Sequence, residues 1–241
     1  MAVSGTHLTS NGSGTNATSY ATASITPTAN ALVLCAVCSE LSGVPAVPTV
    51  TGCSLTWVEV ANCFFDQAGT QSRLTLFRAL GTPSTGTLTI DFSGVTQAGC
   101  EWSVAEFAGV DTGGTNGSAA IVQSAKTTEP AAGATTSITA TLGAGITAGN
   151  AAYSAAAWEA NEAGSAEGTW TLLGQGTHAG PSAAILSQWI NSSSDTSGTI
   201  SWTTSVLAGS IIVEIKAAAG AATKPLPPRR QPYRFFRGIF R

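Results

Sequence analysis

Three groups of residues in this chain have types and spacings that could do chemistry. The first is a pair of carboxylates, Glu106 and Glu214, each near the end of an apolar run, Cys100–Ala108 and Ser210–Lys216. Two carboxylates roughly 5–10 Å apart in a cleft can hydrolyse a glycosidic bond. The second is Cys35-x-x-Cys38, half of a zinc-binding spacing. The third is histidine, confined to His7 and His178. Each has a plainer reading, and the sequence favours it. The two Glu stand at matching places in two similar strands, which suits equivalent structural parts better than catalysis. Residues three apart on a strand point to opposite faces, and no second paired motif follows, so the cysteines read as small buried hydrophobes. Both histidines lie in polar Gly/Thr surroundings, with no Ser-His-Asp or Cys-His arrangement at a suggestive spacing. Asp91 and Asp111 border turns without a ligand-spaced calcium loop. The sequence predicts no catalytic residue, no metal site and no cofactor.

The elements that must position these residues occur twice. Leu55-Thr56-Trp57 answers to Gly168-Thr169-Trp170, and Gly86-Thr87-Leu88 to Gly198-Thr199-Ile200. Arg73–Ala79 answers to Ala183–Trp189, Asn30–Val33 to Asn150–Tyr153, and Ser24–Thr26 to Ser137–Thr139. The order is kept, and the offset drifts only between 108 and 120 residues, the mark of an internal repeat. Short apolar or alternating runs recur between Gly, Pro and Asn turn signals, and no run reads as a helix. The chain is therefore predicted all-β, an antiparallel β-sandwich of jelly-roll type built from two duplicated halves. Residues 1–18 read as an extended lead-in, 19–216 as the sandwich with half-repeats 19–110 and 135–216, and 217–241 as a linker and arm. Ala119–Ser124 is a candidate bridging strand. Because the second half is rich in Ala, its core looks thin alone. That favours one large two-sheet sandwich over two small ones. Trp57, Trp102, Trp158, Trp170, Trp189 and Trp202 read as the bulky core of a small-residue protein.

Charge is divided by position. Residues 1–217 hold all thirteen acidic groups and four basic ones, a net −9, while the last 24 residues carry +6. The N-terminus has neither a basic start nor an apolar h-region, so no signal peptide is expected. No run of apolar residues is long enough for a membrane span. Five cysteines, an odd number, argue against a complete disulfide framework. A Cys53–Cys63 bridge across a strand and its return is the one pairing the spacing suggests.

Three stretches carry a resemblance: Ser19–Leu34, the pieces Leu55-Thr56-Trp57 and Leu76-Phe77-Arg78-Ala79, and Trp102–Asp111. Together they resemble a β-sandwich family common among tailed-phage virion proteins, over roughly residues 18–216. The resemblance implies a non-enzymatic virion component, such as a capsid decoration, head-fibre or tail accessory protein. Its implied partners are other virion proteins and copies of itself. A glycan-binding adhesin with exposed Trp is the alternative. The arm lies outside that pattern. Lys224-Pro225-Leu226-Pro227-Pro228 favours an extended polyproline II path. Beyond it, Arg229, Arg230, Tyr233, Arg234, Phe235, Phe236, Arg237, Ile239, Phe240 and Arg241 mix positive charge with apolar anchors. Six charges suit phosphate. Four closely spaced apolar side chains suit a protein pocket rimmed by arginine contacts, and this reading is preferred over nucleic acid.

Overall fold

A computed structural model describes residues 2–67, 69–128, 133–191 and 195–219. The first half contains β1 (Ser4–Ser13), β2 (Ser19–Ala21), β3 (Leu32–Leu41), β4 (Thr49–Gly52), β5 (Val58–Gln67), β6 (Thr70–Ala79), β7 (Leu88–Asp91) and β8 (Gly99–Ala108). The second contains β9 (Ile121–Thr128), β10 (Thr135–Thr141), β11 (Ala151–Trp158), β12 (Ser165–Ala166), β13 (Thr171–Ala179), β14 (Ser182–Ile190), β15 (Ser197–Val206) and β16 (Ala208–Ile215). Each half forms a five-stranded and a three-stranded antiparallel sheet. Their orders are β1-β8-β3-β6-β5 with β2-β7-β4, and β9-β16-β11-β14-β13 with β10-β15-β12. Numbered within each half, the two orders are identical.

The halves do not intercalate. Each is its own jelly-roll-type sandwich, and the two pack back to back through their five-stranded sheets, giving four layers. This corrects the expectation of one large two-sheet sandwich. The burial of β3 shows why the arrangement closes: nine of its ten residues are buried. Leu32, Leu34, Ala36 and Cys38 face the central interface, and Val33, Cys35 and Val37 face the first half's own core. A strand covered on both faces reads as a continuous apolar run. The central layer joins Leu74, Leu76, Phe65 and Phe107 of the first half to Tyr153, Ile185, Ile211, Val213 and Ile215 of the second. The Ala-rich β11 is thus sealed from both sides. Bulk on its outer face comes from tryptophan, with Trp158 and Trp202 stacked at 4.9 Å and 1°.

Contacts between the sheets run β1 against β13 at one edge and β5 against β9 at the other. Since β1 corresponds to β9 and β5 to β13, these are one contact made twice, related by an approximate two-fold. The lead-in of residues 1–18 is therefore part of the repeat: Ser4–Ser13 is an edge strand paired with β8. It lacks an apolar pattern because backbone lies on backbone there. A Cβ on Gly12 would stand 2.6 Å from the Thr177 carbonyl oxygen, and one on Gly176 would meet Asn11. The bridging segment proves to be β9, the matching edge strand of the second half.

Register fixes which residues correspond. Val33 faces Glu106 and Ala152 faces Glu214, so β3 and β11 are offset by 119. The offsets are 111 for β6 and β14 and 113 for β5 and β13. Even the bulge recurs, between Glu59 and Ala61 and between Leu172 and Gly174. The sequence match of Asn30 with Asn150 is one residue out. The left-handed turn residue Asn30 (φ 61°) corresponds to Gly149 (φ 90°). A slip of one residue exchanges the two faces of a strand, so these registers matter below.

Candidate functional site

Glu106 and Glu214 are structural equivalents. Thr28, 119 residues before Thr147, gives Glu106 its backbone N–H at 2.6 Å and its hydroxyl at 2.9 Å. Thr147 N–H donates to Glu214 at 2.8 Å, with Asn150 Nδ2 and Gln123 Nε2 both at 2.7 Å. Each carboxylate thus holds the turn that leads into the central strand of its own half. Burial pushes the Glu214 carboxyl up, but the donors of Asn150, Thr147 and Gln123 outweigh it and hold the group below its ordinary value.

The chemistry that the fold does assemble lies elsewhere, in a corner of the central interface. Cys38 and Glu40 alternate with Leu32, Leu34 and Ala36 on the inner face of β3. Glu101 on β8 is the register partner of Cys38. From the other half, β13 delivers His178. Its Nε2 lies 2.9 Å from Glu40 Oε2 and 3.2 Å from Glu101 Oε2. The two carboxylates are 1% and 0% exposed. A sulfur of Cys38 and one oxygen each of Glu40 and Glu101 lie within 4.8 Å of one another. Glycine makes the room: a Cβ on Gly99 would stand 2.5 Å from both Glu40 Oε2 and His178 Cε1. Burial disfavours charge on His178, yet the hydrogen bonds and charges of Glu101 and Glu40 push it up to about 10. Burial and the neighbouring Glu40 raise the Glu101 carboxyl well above its ordinary value. Burial, helped by both carboxylates, does the same to the Cys38 thiol.

The two-fold supplies a control inside the same molecule. By register, Cys38 corresponds to Ala157, Glu40 to Glu159, Glu101 to Gly209, Ser72 to Ala183 and His178 to Phe65. At that second corner Phe65 fills the space over Gly209, whose added Cβ would stand 2.6 Å from Phe65 Cδ1. Ser72 Oγ donates to Glu159 at 3.1 Å. One corner is ionic and its counterpart is mostly apolar.

All five cysteines are free and buried, and the suggested Cys53–Cys63 pairing does not form, because the two lie in different cores. Cys35 and Cys38 do point to opposite faces. His7 bonds Ser10 on the surface at 3.1 Å. Trp102, Trp158, Trp170 and Trp202 are buried, and Trp57 and Trp189 are half-buried against the cores. The expected partner-binding residues Arg229, Arg230, Tyr233, Arg234, Phe235, Phe236, Arg237, Ile239, Phe240 and Arg241 lie outside the described residues. Described chain ends at Ala219, beside an open groove of about 790 Å³ lined by Ala2, Val122, Ala148, Asn150, Lys216 and Ala218 among others. No helix among the described residues is long and apolar enough to cross a membrane.

Sequence reading missed Glu40 and Glu101, and it set His178 aside as a residue of polar Gly/Thr surroundings, whereas it is buried against both carboxylates. The available signal was parity: Glu101 shares its alternation with Ser103, Ala105 and Phe107, so a carboxylate was due to face inward. No protein-family description, curated protein or solved structure matches the chain.

Proposed function

We propose that this chain is a structural, non-enzymatic component of a phage particle, a capsid decoration, head-fibre or tail accessory protein. Its doubled sandwich stands out from a lattice, and its C-terminal arm docks it there on another virion protein or another copy of itself. The observation that carries this reading is how the chain uses its reactive side chains. Glu106 and Glu214 hold turns, the thiols are packed in cores, and Glu40, Glu101 and His178 are closed between two sheets. What faces outward is a surface poor in charge and rich in Ser, Thr and Gly, suited to packing against neighbours. The groove beside Ala219, where the described chain runs on toward the arm, offers small side chains and Lys216 rather than a reactive pair. The resemblance of Trp102–Asp111 and its companion stretches to virion sandwiches supports the same class. The glycan-binding alternative loses the exposed Trp it requires.

Mass spectrometry of purified particles tests the proposal by presence and copy number. Deleting residues 224–241 should leave the folded body's melting temperature unchanged and abolish incorporation. Normal incorporation of the truncated chain would overturn the anchoring part, and absence of the chain from particles would overturn the whole. Tight, salt-sensitive DNA binding by the arm would replace the protein partner with nucleic acid.

A further inference from the structure

We propose that the buried corner formed by Cys38, Glu40, Glu101 and His178 is a structural metal site for a zinc-like divalent cation, clamping the two sandwiches together. Three observations carry it. The first is the donor set and its spacing. One thiol, two carboxylates and one imidazole converge from both halves, with N···O separations of 2.9 and 3.2 Å and the sulfur and two carboxylate oxygens within 4.8 Å. Tetrahedral ligands about 2.0–2.3 Å from zinc are separated by about 3.3–3.6 Å, so His178 Nε2 and the carboxylate oxygens already stand near ligand spacing. The Cys38 sulfur, grouped with the two carboxylates, is the donor that has to draw in toward the imidazole.

The second observation is polar bookkeeping. Glu40 Oε1 and Glu101 Oε1 are fully buried and have no hydrogen-bond partner. Two buried acceptor oxygens left without a donor are costly in a dry interface. A cation answers both oxygens at once, and it turns the thiol into a thiolate ligand. Charged, oxygen-rich and sulfur-bearing, the set suits zinc better than magnesium or calcium, which take oxygen almost alone.

The third is the sister corner. Phe65, Gly209 and Ala157 close the equivalent place without His or a second carboxylate, the Cys63 thiol lies beside Gly209 in an otherwise apolar filling, and Glu159 has Ser72. The backbone arrangement therefore does not require the ionic set. Closing the polar corner by simple packing was open to this chain, and it carries ligands there instead.

The test uses the full chain, unfolded in chelator and refolded with or without zinc, since the site is closed in the folded state. Refolding with zinc should give one tightly held ion per chain. At a free zinc concentration about a hundred times the dissociation constant, the melting temperature should rise by about 5–10 °C. Cobalt in place of zinc should show intense tetrahedral visible bands and a thiolate-to-cobalt charge-transfer band that Cys38→Ser abolishes. The triple variant His178→Phe, Glu101→Gly, Ala183→Ser copies the sister corner except at Cys38, where that corner has Ala157, so it should fold and bind neither metal. A refolded wild-type chain that takes up no zinc or cobalt, with a melting temperature indifferent to both metal and chelator, overturns the proposal. Equal metal uptake by the triple variant does so too, because the ion would then sit elsewhere. Cobalt binding without the charge-transfer band removes Cys38 from the ligand set and overturns the site as drawn.

Discussion

At one corner of the central interface His178 lies against Glu40 and Glu101. At the corner related to it by the internal two-fold, Phe65 lies against Gly209. The registers among β3, β5, β6 and β8 match those among β11, β13, β14 and β16, including the bulge in β5 and β13, so the difference between the corners lies in their side chains. A large ring over a glycine and an imidazole between two carboxylates are alternative ways to fill one space. The first is stabilised by apolar burial and shape. The second gains little from burial and depends on pairing its charges. One topology therefore accepts both, and the ionic version calls for a reason outside the topology.

The largest effect is expected from emptying a corner. Phe65→Ala should cost about 3–5 kcal/mol, since it removes an aromatic side chain from a closed core and leaves a cavity over a glycine that cannot fill it. His178→Ala in metal-free chain should cost somewhat less, about 3 kcal/mol, because it strands two carboxylates but Glu101 can take up a proton in response. Chemical denaturation at neutral pH measures both. If His178→Ala proves silent while Phe65→Ala does not, the ionic corner contributes nothing to closure and the comparison fails.

A smaller effect, with the opposite sign, should come from making the corners alike. In zinc-free solution the triple variant His178→Phe, Glu101→Gly, Ala183→Ser replaces a buried ionic group with packing that the other corner already proves workable. Comparable replacements elsewhere are neutral or stabilising by about 1–4 kcal/mol. Glycine within β8 costs roughly 0.5–1 kcal/mol of that, so a net change between about −1 and about +3.5 kcal/mol is expected. A loss above about 2 kcal/mol would show that the two corners are not interchangeable and that the registers equating them mislead.

How much of this was legible in the sequence follows from where apolar patterning is imposed. β3, β8, β11 and β16 are buried on both faces and stand out as mostly apolar runs, although β3 and β8 carry Glu40 and Glu101 within them. The Trp57–Trp170 match was in register because both residues precede the same bulge. β1 was invisible, since a strand that packs through Gly12 against Gly176 needs no apolar side chains. Asn30 and Asn150 misled by identity, because the turn needs a left-handed residue and uses Asn in one half and Gly149 in the other. Four layers instead of two could not be read from strand count, which is compatible with both. The ionic corner was hidden for a further reason. Glu40 and Glu101 are 61 residues apart and His178 is 77 beyond Glu101, so no local spacing links them. Only the pairing of β3 with β8, and the stacking of one half on the other, makes them neighbours.

The smallest effects should separate the turn-holding carboxylates that both halves share. Glu106 and Glu214 hold equivalent turns, but Glu106 is half-exposed with a single threonine partner, whereas Glu214 is 1% exposed with three donors. Charge-assisted hydrogen bonds count for more when water cannot replace them. Glu214→Gln should therefore cost about 1–2 kcal/mol and Glu106→Gln less than about 1 kcal/mol. The Glu214 loss should also depend on pH in a defined direction. Its carboxyl is held below the 4.5 of a free glutamate, so the folded chain binds its proton less readily than the unfolded chain does. The stabilisation is then fully present above the unfolded value and fades as pH falls through the lowered one. Melting curves of wild type and Glu214→Gln should differ most near neutral pH and converge in acid. A gap that stays constant down to pH values well below 4.5 would mean that the variant loses packing rather than charge. Equal losses in the two variants would mean that burial does not distinguish the two turns, and that the shared carboxylate serves both halves on the same terms.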